Sequence, residues 1–173
     1  MSTANGVEVS VIVPTYNRPA ALRECLLALA SQTYPHDRLE VWVVDDGGEL
    51  SSAPVVDQMR SRLTVELVTQ RHAGPARARN LAAGMARGRF FAFTDDDCRP
   101  RSTWLARITA ALERAPDSIV GGRIVNALAD NPFSSASQMI ADIVYAHYNA
   151  DPENARFFSS NNIAMAAQSY RNL

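Results

Sequence analysis

The chain has 173 residues, of which 47% are hydrophobic and 20% are charged, and its formal net charge is -1. This size and composition suit one soluble globular domain with a sizeable core, and the near-neutral charge predicts no nucleic-acid partner. All 17 basic residues are arginine. The lack of lysine excludes Schiff-base chemistry and a Walker-type phosphate loop.

The chain begins with two strand signals separated by a helix signal. Residues 9–14 form a short apolar run, which predicts a strand covered on both faces. Pro19 then opens a helix whose leucines recur at helical spacing. A second apolar run, residues 41–44, predicts another buried strand, and this strand ends at Asp45 and Asp46.

The same alternation continues through the middle of the chain. Ser51 and Ser52 are predicted to cap a second helix, which leads to a third strand over residues 65–69. Gly74, followed by proline, opens a third helix. A fourth strand over residues 90–94 ends at a run of three aspartates.

The last third of the chain has a looser pattern. Ser102 is predicted to cap a further helix, and residues 119–125 are predicted to form one more strand. Residues 139–148 indicate an amphipathic helix, and residues 161–165 a polar entry to a short strand. The whole pattern predicts an α/β fold: a single, mostly parallel sheet flanked by helices, with right-handed crossovers.

Polar clusters follow the predicted strands at the point where each strand ends. The carboxyl ends of parallel strands meet at one edge of a sheet, where open α/β sheets bind their ligands. The clusters, in strand order, are residues 15–18, 45–46, 70–80 and 95–97. We therefore expect four segments that are distant in sequence to converge on one crevice.

The run Asp95, Asp96 and Asp97 is the most informative of these clusters. Three adjacent carboxylates repel one another unless a cation neutralises them. Hard oxygen ligands at this density suit Mg²⁺ or Mn²⁺. The alternative is an acidic turn that is only solvated.

The other clusters suit the parts of a nucleoside diphosphate. Tyr16 offers a flat face for a base, and Asp46 offers an acceptor for a base N–H. Arg77 and Arg79 lie at the start of a predicted helix, where backbone amides favour anions. The residues alone leave alternatives open: a tyrosine that plugs the sheet edge, an aspartate that caps a turn, and solvated arginines. His72 is interpreted as a solvated loop histidine, with a contact to a phosphate as the alternative.

Four motifs in order carry a resemblance to a known family. They are the segments 11–18 (VIVPTYNR), 43–47 (VVDDG), 78–80 (ARN) and 93–97 (FTDDD). Together they closely resemble family 2 glycosyltransferases with the Rossmann-like glycosyltransferase-A fold. The resemblance extends from about residue 9 to residue 165.

This resemblance implies transfer of a sugar from a nucleotide-sugar donor, usually a UDP-sugar, to an acceptor hydroxyl with inversion. It implies a divalent metal, Mn²⁺ or Mg²⁺, held by Asp97 with Asp95, and an acceptor side that includes Asn161 and Asn162. The acceptor itself is an unknown saccharide, lipid or small molecule. The residues expected to bind the nucleotide sugar are Pro14, Thr15, Tyr16, Asn17, Arg18, Asp46, Arg79, Asp95 and Asp96.

The sequence departs from the family pattern at its end, because the usual acidic segment with the general base is predicted beyond Leu173. Asp142, Asp151 and Glu153 are acidic but match no family motif. The expected division is therefore a flexible terminus over residues 1–8, a nucleotide-sugar-binding domain over 9–125 and an incomplete acceptor-side region over 126–173.

Two other functions remain open at this point. One is a phosphatase of the haloacid dehalogenase type, whose nucleophile is an aspartate after a strand, although its usual lysine is absent here. The other is a non-catalytic nucleotide-sugar-binding domain. Residues 1–6 do not resemble a signal peptide, so we expect a cytoplasmic protein with at most peripheral membrane contact.

Overall fold

The computed structural model describes residues 6–151 and 154–173. The strands are β1 (Val9–Thr15), β2 (Leu39–Asp45), β3 (Val65–Thr69), β4 (Phe90–Phe93), β5 (Val120–Gly121) and β6 (Ile163–Ala166). The helices are α1 (Pro19–Ala30), α2 (Ala53–Met59), α3 (Pro75–Met85), α4 (Trp104–Arg114), α5 (Pro132–Tyr148) and α6 (Ala167–Arg171). A 3-10 turn, His36–Arg38, precedes β2.

The six strands form one sheet in the order β3-β2-β1-β4-β6-β5. The strands β3, β2, β1 and β4 are mutually parallel, whereas β6 is antiparallel to both β4 and β5. The predicted α/β class with a mostly parallel sheet is thus confirmed. The parallel strands bring their carboxyl ends to one edge.

The strand predicted over residues 119–125 is much shorter than expected. Only Val120 and Gly121 pair, and they pair antiparallel with Ala164 and Ile163 of β6. Gly121 lies so close to the ring of Phe158 that a Cβ there would be 2.2 Å from the ring. The apolar run therefore forms a short antiparallel strand at the edge of the sheet and does not add another parallel strand.

Alternate residues of the central strands supply two separate cores, one on each face of the sheet. In β1, Val9, Val11 and Val13 face the core under α1, α2 and α4, whereas Ile12 faces the core under α3 and α6. The second core is lined by alanines of α3, which let this helix lie close to β1 and β2. Each fully buried leucine or valine contributes about 1.5–3 kcal/mol.

The predicted helix starts were only partly correct. Ser52 occupies the N-cap position of α2 but makes no capping bond with its side chain, whereas the Ser51 hydroxyl accepts from Ala53 N at 3.3 Å. Helix α4 starts after Thr103 without a side-chain cap, so the cap predicted at Ser102 is wrong. Caps are hard to assign where several hydroxyl residues are adjacent.

Helix α5 begins seven residues earlier than the amphipathic pattern indicated, at Pro132 instead of residue 139. The Asn131 side chain accepts from the backbone N–H groups of Phe133 and Ser134, so it caps the helix. Several large apolar side chains of α5 are exposed, including Phe133, Ile140 and Ile143. Exposed apolar residues on this helix blur its periodicity.

The flexible terminus predicted over residues 1–8 falls mainly outside the described residues, which start at Gly6. Glu8 pairs with Arg38 at 2.6 Å and hydrogen-bonds the backbone of Arg38 and Phe90. The division at residue 125 stays a prediction. Within residues 6–151 and 154–173, no helix has the length and hydropathy needed to cross a bilayer.

Candidate functional site

The loops that follow β1 and β2 are tied together at the carboxyl edge of the sheet. Asn17 adopts a positive φ of 55°, and its side-chain Oδ1 accepts from Leu50 N at 2.9 Å. Gly48 makes this contact possible, since a Cβ there would lie 2.3 Å from Asn17 Oδ1. The predicted site residue Asn17 therefore fixes the loop geometry.

Pro14 is buried in the central strand β1, where a missing N–H would normally cost a ladder bond. The Ile12 carbonyl accepts from Thr94 N on the β4 side, and Pro14 faces that same side two residues later. The β4 pairing ends at the pair Ile12 and Phe93. The strand thus tolerates a proline because its neighbour has already ended.

Asp45 and Asp46 are adjacent but have different partners. Asp45 accepts from the backbone N–H groups of Gly47, Gly48 and Ser52, so it shapes the turn after β2. Asp46 instead reaches the loop between β3 and α3. The turn-capping role considered for Asp46 belongs to its neighbour.

Asp46 is buried, accepts three hydrogen bonds and also contacts a histidine ring. Its Oδ1 accepts from Gln70 Nε2 at 2.6 Å and from Ala73 N at 2.9 Å, and its Oδ2 accepts from Gly74 N at 2.9 Å and contacts His72 Nδ1 at 2.9 Å. Burial alone would raise the pKa of Asp46, but these hydrogen bonds outweigh it and lower the pKa. A carboxylate has about four lone-pair positions, and three of them accept hydrogen bonds here. The base contact predicted for Asp46 stays a prediction.

The start of α3 was predicted to bind an anion. In the structure, the anion at this position is the Asp46 carboxylate of the chain itself. The backbone amides of Ala73 and Gly74 both point at the Asp46 carboxylate. Arg77 in the first turn is exposed, whereas Arg79 pairs with Asp95. Of the two arginines predicted at this helix start, Arg79 contacts the acidic run and Arg77 is exposed.

Asp96 is the buried member of the acidic run, with no exposed side-chain surface. Its Oδ2 accepts from the Thr15 hydroxyl at 2.7 Å. Arg18 Nη2 lies 2.7 Å from Asp96 Oδ1, but outside hydrogen-bond geometry, so that oxygen is buried without a hydrogen-bond donor. Burial raises the pKa of Asp96, the Thr15 and Arg18 contacts lower it in part, and Asp97 and Asp95 raise it further.

The other two acids are paired with arginines. Arg18 Nη1 lies 2.9 Å from Asp97 Oδ2, so one guanidinium bridges Asp96 and Asp97. Arg79 Nη2 lies 2.5 Å from Asp95 Oδ1. The structure therefore brings the predicted residues Arg18, Arg79 and the acidic run into one cluster.

This cluster is not a closed metal cage. Among the described residues, no group of three His, Cys, Asp or Glu side chains is arranged to hold a metal ion. Asp97 is 55% exposed, and its second oxygen, Oδ1, accepts from the Cys98 thiol at 3.8 Å. Mg²⁺ is usually held by one or two carboxylates completed by substrate phosphates. The donor set therefore fits a substrate-completed ion, not a structural one.

The two predicted acceptor-side asparagines lie in different environments. Asn161 Nδ2 contacts Cys98 Sγ at 3.5 Å, and its Oδ1 is buried without a hydrogen-bond partner, which places it beside the acidic run. Asn162 Oδ1 accepts from Trp104 Nε1 at 2.9 Å. Asn161 is thus part of the cluster, while Asn162 ties the segment before β6 to α4.

His72 was interpreted as a solvated loop histidine, but its ring has two specific contacts. It pairs with the Tyr16 ring at a centroid separation of 4.4 Å and with Asp46 through Nδ1. The sequence offered one signal for this contact, since His72 belongs to a cluster that follows a strand. Tyr16 itself is 43% exposed.

The sequence model of glycosyl transferase family 2 matches residues 10–173. The chain belongs to glycosyl transferase family 2. This match confirms the family that the four motifs resemble, and it decides against the phosphatase alternative. The chain is also 34% identical over 119 residues to the glycosyltransferase AglE of Haloferax volcanii. That alignment covers 67% of this chain and 39% of AglE.

Two solved structures of other proteins share the fold of this family 2 chain. One is Staphylococcus aureus TarS 1-349 in complex with UDP-GlcNAc, with a TM-score of 0.62 and 31% identity over 69% of this chain and 37% of that chain. The other is the mannosyltransferase PcManGT from Pyrobaculum calidifontis in complex with GDP-Man and Mn²⁺, with a TM-score of 0.73. It is 24% identical, over 94% of this chain and 45% of that chain, and shows the fold alone. The chain thus spans less than half the length of these relatives.

Proposed function

We propose that this chain carries the donor site of an inverting glycosyltransferase, which moves a sugar from a nucleotide-diphosphate donor to an acceptor hydroxyl. One observation carries the proposal: the buried, incompletely hydrogen-bonded Asp96, bridged to Asp97 by the Arg18 guanidinium. Such a cluster of opposite charges can exchange its internal partners for those of a charged ligand. The UDP-GlcNAc complex of TarS, a relative at 31% identity, supports a UDP-sugar as the donor.

Each part of the donor has a partner in this cluster. Tyr16 supplies an exposed aromatic face for the base. The Thr15 hydroxyl and Asp96 lie next to each other and suit the ribose hydroxyls. Arg18 and Arg79 are the two guanidinium groups at the cluster and suit the diphosphate oxygens.

A divalent ion, Mg²⁺ or Mn²⁺, is proposed at Asp97, with Asp95 beside it. When bound, it would neutralise negative charge on the diphosphate. Asp97 would supply a carboxylate oxygen, and its pairing with Arg18 keeps the charge balanced until the donor arrives. Arg79 would hold Asp95 in place through the contact at 2.5 Å.

In the proposed transfer, the acceptor oxygen forms a bond to the anomeric carbon while the bond from that carbon to the diphosphate breaks. The electron pair leaves with the nucleoside diphosphate, and attack from the opposite face inverts the anomeric centre. Arg18 and Arg79 would stabilise the charge that develops on the leaving diphosphate. Asn161 lies beside the acidic run, and its buried, unpartnered Oδ1 suits a hydroxyl acceptor, which is a saccharide, a lipid or a small molecule.

The acceptor hydroxyl must also lose its proton to a base. Asp142 is a poor candidate, because hydrogen bonds from Gln138 and Arg123 lower its pKa and it lies on α5. Glu153 lies outside the described residues. We therefore assign the base to no described residue.

The test is a thermal-unfolding series with UDP, GDP and dTDP, each with and without Mn²⁺. At a ligand concentration of about 100 times Kd, binding adds about 2.7 kcal/mol, which raises the Tm by roughly 5–10 °C for a protein of this size. Asp97→Asn should remove the Mn²⁺ dependence, whereas the matched variant Asp117→Asn, at an exposed site after α4, should retain it.

Three outcomes separate the alternatives. A shift that depends on Mn²⁺ and Asp97 supports the proposal. A shift with no donor hydrolysis and no transfer to any saccharide acceptor favours a non-catalytic nucleotide-sugar-binding domain. No shift with any of the three nucleotides, with or without the metal, contradicts the proposal.

A further inference from the structure

The Tyr16 side chain is supported from one side by a residue with no assigned role. The rings of Tyr16 and His72 lie 4.4 Å apart between centroids and are tilted by 33°. His72 belongs to the loop between β3 and α3, and it approaches Tyr16 from a different part of the chain. Both side chains are partly exposed, at 43% for Tyr16 and 59% for His72. The pair therefore forms part of the surface at the carboxyl edge.

His72 is fixed by a buried acid. Its Nδ1 lies 2.9 Å from Oδ2 of Asp46, whose side chain is 5% exposed. The same carboxylate accepts from the backbone amides of Ala73 and Gly74, so the imidazole and its own loop are held by one group. A ring held in this way has little freedom to rotate.

The backbone of the preceding turn is built for this close approach. Gly47 has a φ of 77°, and a Cβ there would lie 2.6 Å from Gln70 O and 2.9 Å from His72 N. The turn after β2 and the loop after β3 are thus in direct backbone contact. These backbone contacts fix the position of the His72 main chain beside the turn.

We propose that His72 is a positioning residue for the nucleobase: held by Asp46, it packs on one face of Tyr16 and leaves the opposite face ready to stack on the base. This inference rests on the proposed function. A tyrosine on a loop loses rotamer freedom when a ligand stacks on it, and a ring fixed beforehand avoids that cost. Asp46 then acts on base binding through His72, whose Nδ1 lies against its Oδ2.

The experiment measures the Kd of the intact protein by calorimetry in the presence of Mn²⁺, with UDP or GDP, whichever stabilises the wild-type protein. His72→Ala should weaken binding by about 3- to 10-fold, the range that one aromatic contact supplies. His72→Phe keeps a ring beside Tyr16 and should recover most of this loss. His72→Asn keeps a polar side chain without the ring and should not. His36→Ala, in the turn before β2, is the matched control and should bind as wild type.

A double-mutant comparison separates positioning from a general structural role. In a Tyr16→Ala background, His72→Ala should have no further effect on Kd, because the ring that it supports is gone. An equal loss in both backgrounds, or wild-type affinity for His72→Ala alone, overturns this inference and leaves the proposed function standing. Failure of the wild-type protein to bind either nucleotide overturns both.

Discussion

Two carboxylates, Glu40 in β2 and Asp96 after β4, are fully buried at opposite ends of the same sheet. Glu40 accepts from the Ser10 hydroxyl at 2.6 Å, from Arg87 N at 2.7 Å, and from Arg87 Nε and Nη2 at 3.1 and 3.0 Å. Asp96 has one hydrogen bond, from Thr15, and one ion pair with Arg18. Both side chains are fully buried, but Glu40 accepts four hydrogen bonds and Asp96 accepts one.

The pKa directions reflect this difference. Burial would raise both values, but the hydrogen bonds from Ser10 and Arg87 lower the pKa of Glu40 overall. The pKa of Asp96 stays raised by burial and by its acidic neighbours. A buried acid with all its partners stabilises the fold, whereas one that lacks a partner marks a place where a ligand can supply it. We therefore expect a structural role at the amino end of the sheet, and we propose a binding role at the carboxyl end.

The largest expected effect is at Glu40. Glu40→Ala removes the acceptor for a hydroxyl, a backbone amide and a guanidinium, and should lower the free energy of unfolding by about 3 kcal/mol. Glu66→Ala is the matched control, because Glu66 is an exposed acid of the neighbouring strand whose Arg60 contact is 3.5 Å, and it should change stability by less than about 0.5 kcal/mol. Urea unfolding measures both. Equal effects of the two variants would contradict the structural role of Glu40.

The next prediction concerns two glycines, Gly88 at the amino end of the sheet and Gly47 at the carboxyl end. At Gly88 a Cβ would lie 2.6 Å from Ser10 N, and at Gly47 one would lie 2.6 Å from Gln70 O. Each change to alanine should cost about 2 kcal/mol of stability, but only Gly47→Ala should also weaken nucleotide binding. Gly84→Ala, in α3 with nothing within 4 Å, should stabilise by about 0.5–1 kcal/mol. Weaker binding by Gly88→Ala would break the distinction between the two ends.

In contrast to Glu40→Ala, Asp96→Asn should change the stability little and the nucleotide affinity strongly. The amide still accepts from Thr15, and the loss of a poorly satisfied buried charge should change the free energy of unfolding by less than about 1 kcal/mol. The loss of a carboxylate acceptor for the ribose hydroxyls should weaken nucleotide binding at least tenfold, or about 1.4 kcal/mol. Calorimetry and urea unfolding on the same samples give both numbers. A large stability loss with unchanged affinity would make Asp96 a structural acid like Glu40.

The smallest effect is a pH dependence from Glu40. Because its folded pKa is lowered, its stabilisation is complete above its ordinary value of 4.5 and is lost as the pH falls through the folded value. The stability difference between wild type and Glu40→Gln should therefore shrink as the pH drops below about 4.5. Urea titrations between neutral and acidic pH measure it, and a difference that grows toward acid would have the wrong sign.

Local sequence signals predicted most of the fold. The four parallel strands and the helices that start at Pro19 and Pro75 were found because apolar runs and prolines act over short distances. The antiparallel pairing of β5 with β6 was missed, since it joins segments more than 40 residues apart with only two residues of β5. Pairing partners of short edge strands depend on the whole sheet.

The site was predicted in its location more than in its contacts. That the carboxyl ends of the strands meet at one edge follows from parallel topology, and the acidic run was visible directly. The bridge from Arg18 to Asp96 and Asp97, and the occupation of Asp46 by its neighbouring loop, depend on side-chain distances across 79 or 28 positions of sequence. The contacts of His72 were missed because its place in the cluster after β3 indicates a location and not the partners of one side chain.

The most direct test is a backbone amide NMR titration of the wild-type protein with UDP or GDP and Mg²⁺. We expect the largest changes in amide chemical shift at the carboxyl edge, at residues 15–18, 46–48, 70–74 and 94–98. The amino edge offers a competing location, a shallow groove lined by His36, Arg60, Arg62 and Glu66. Shift changes concentrated in that groove, or none at the carboxyl edge, would contradict the assignment of the donor site.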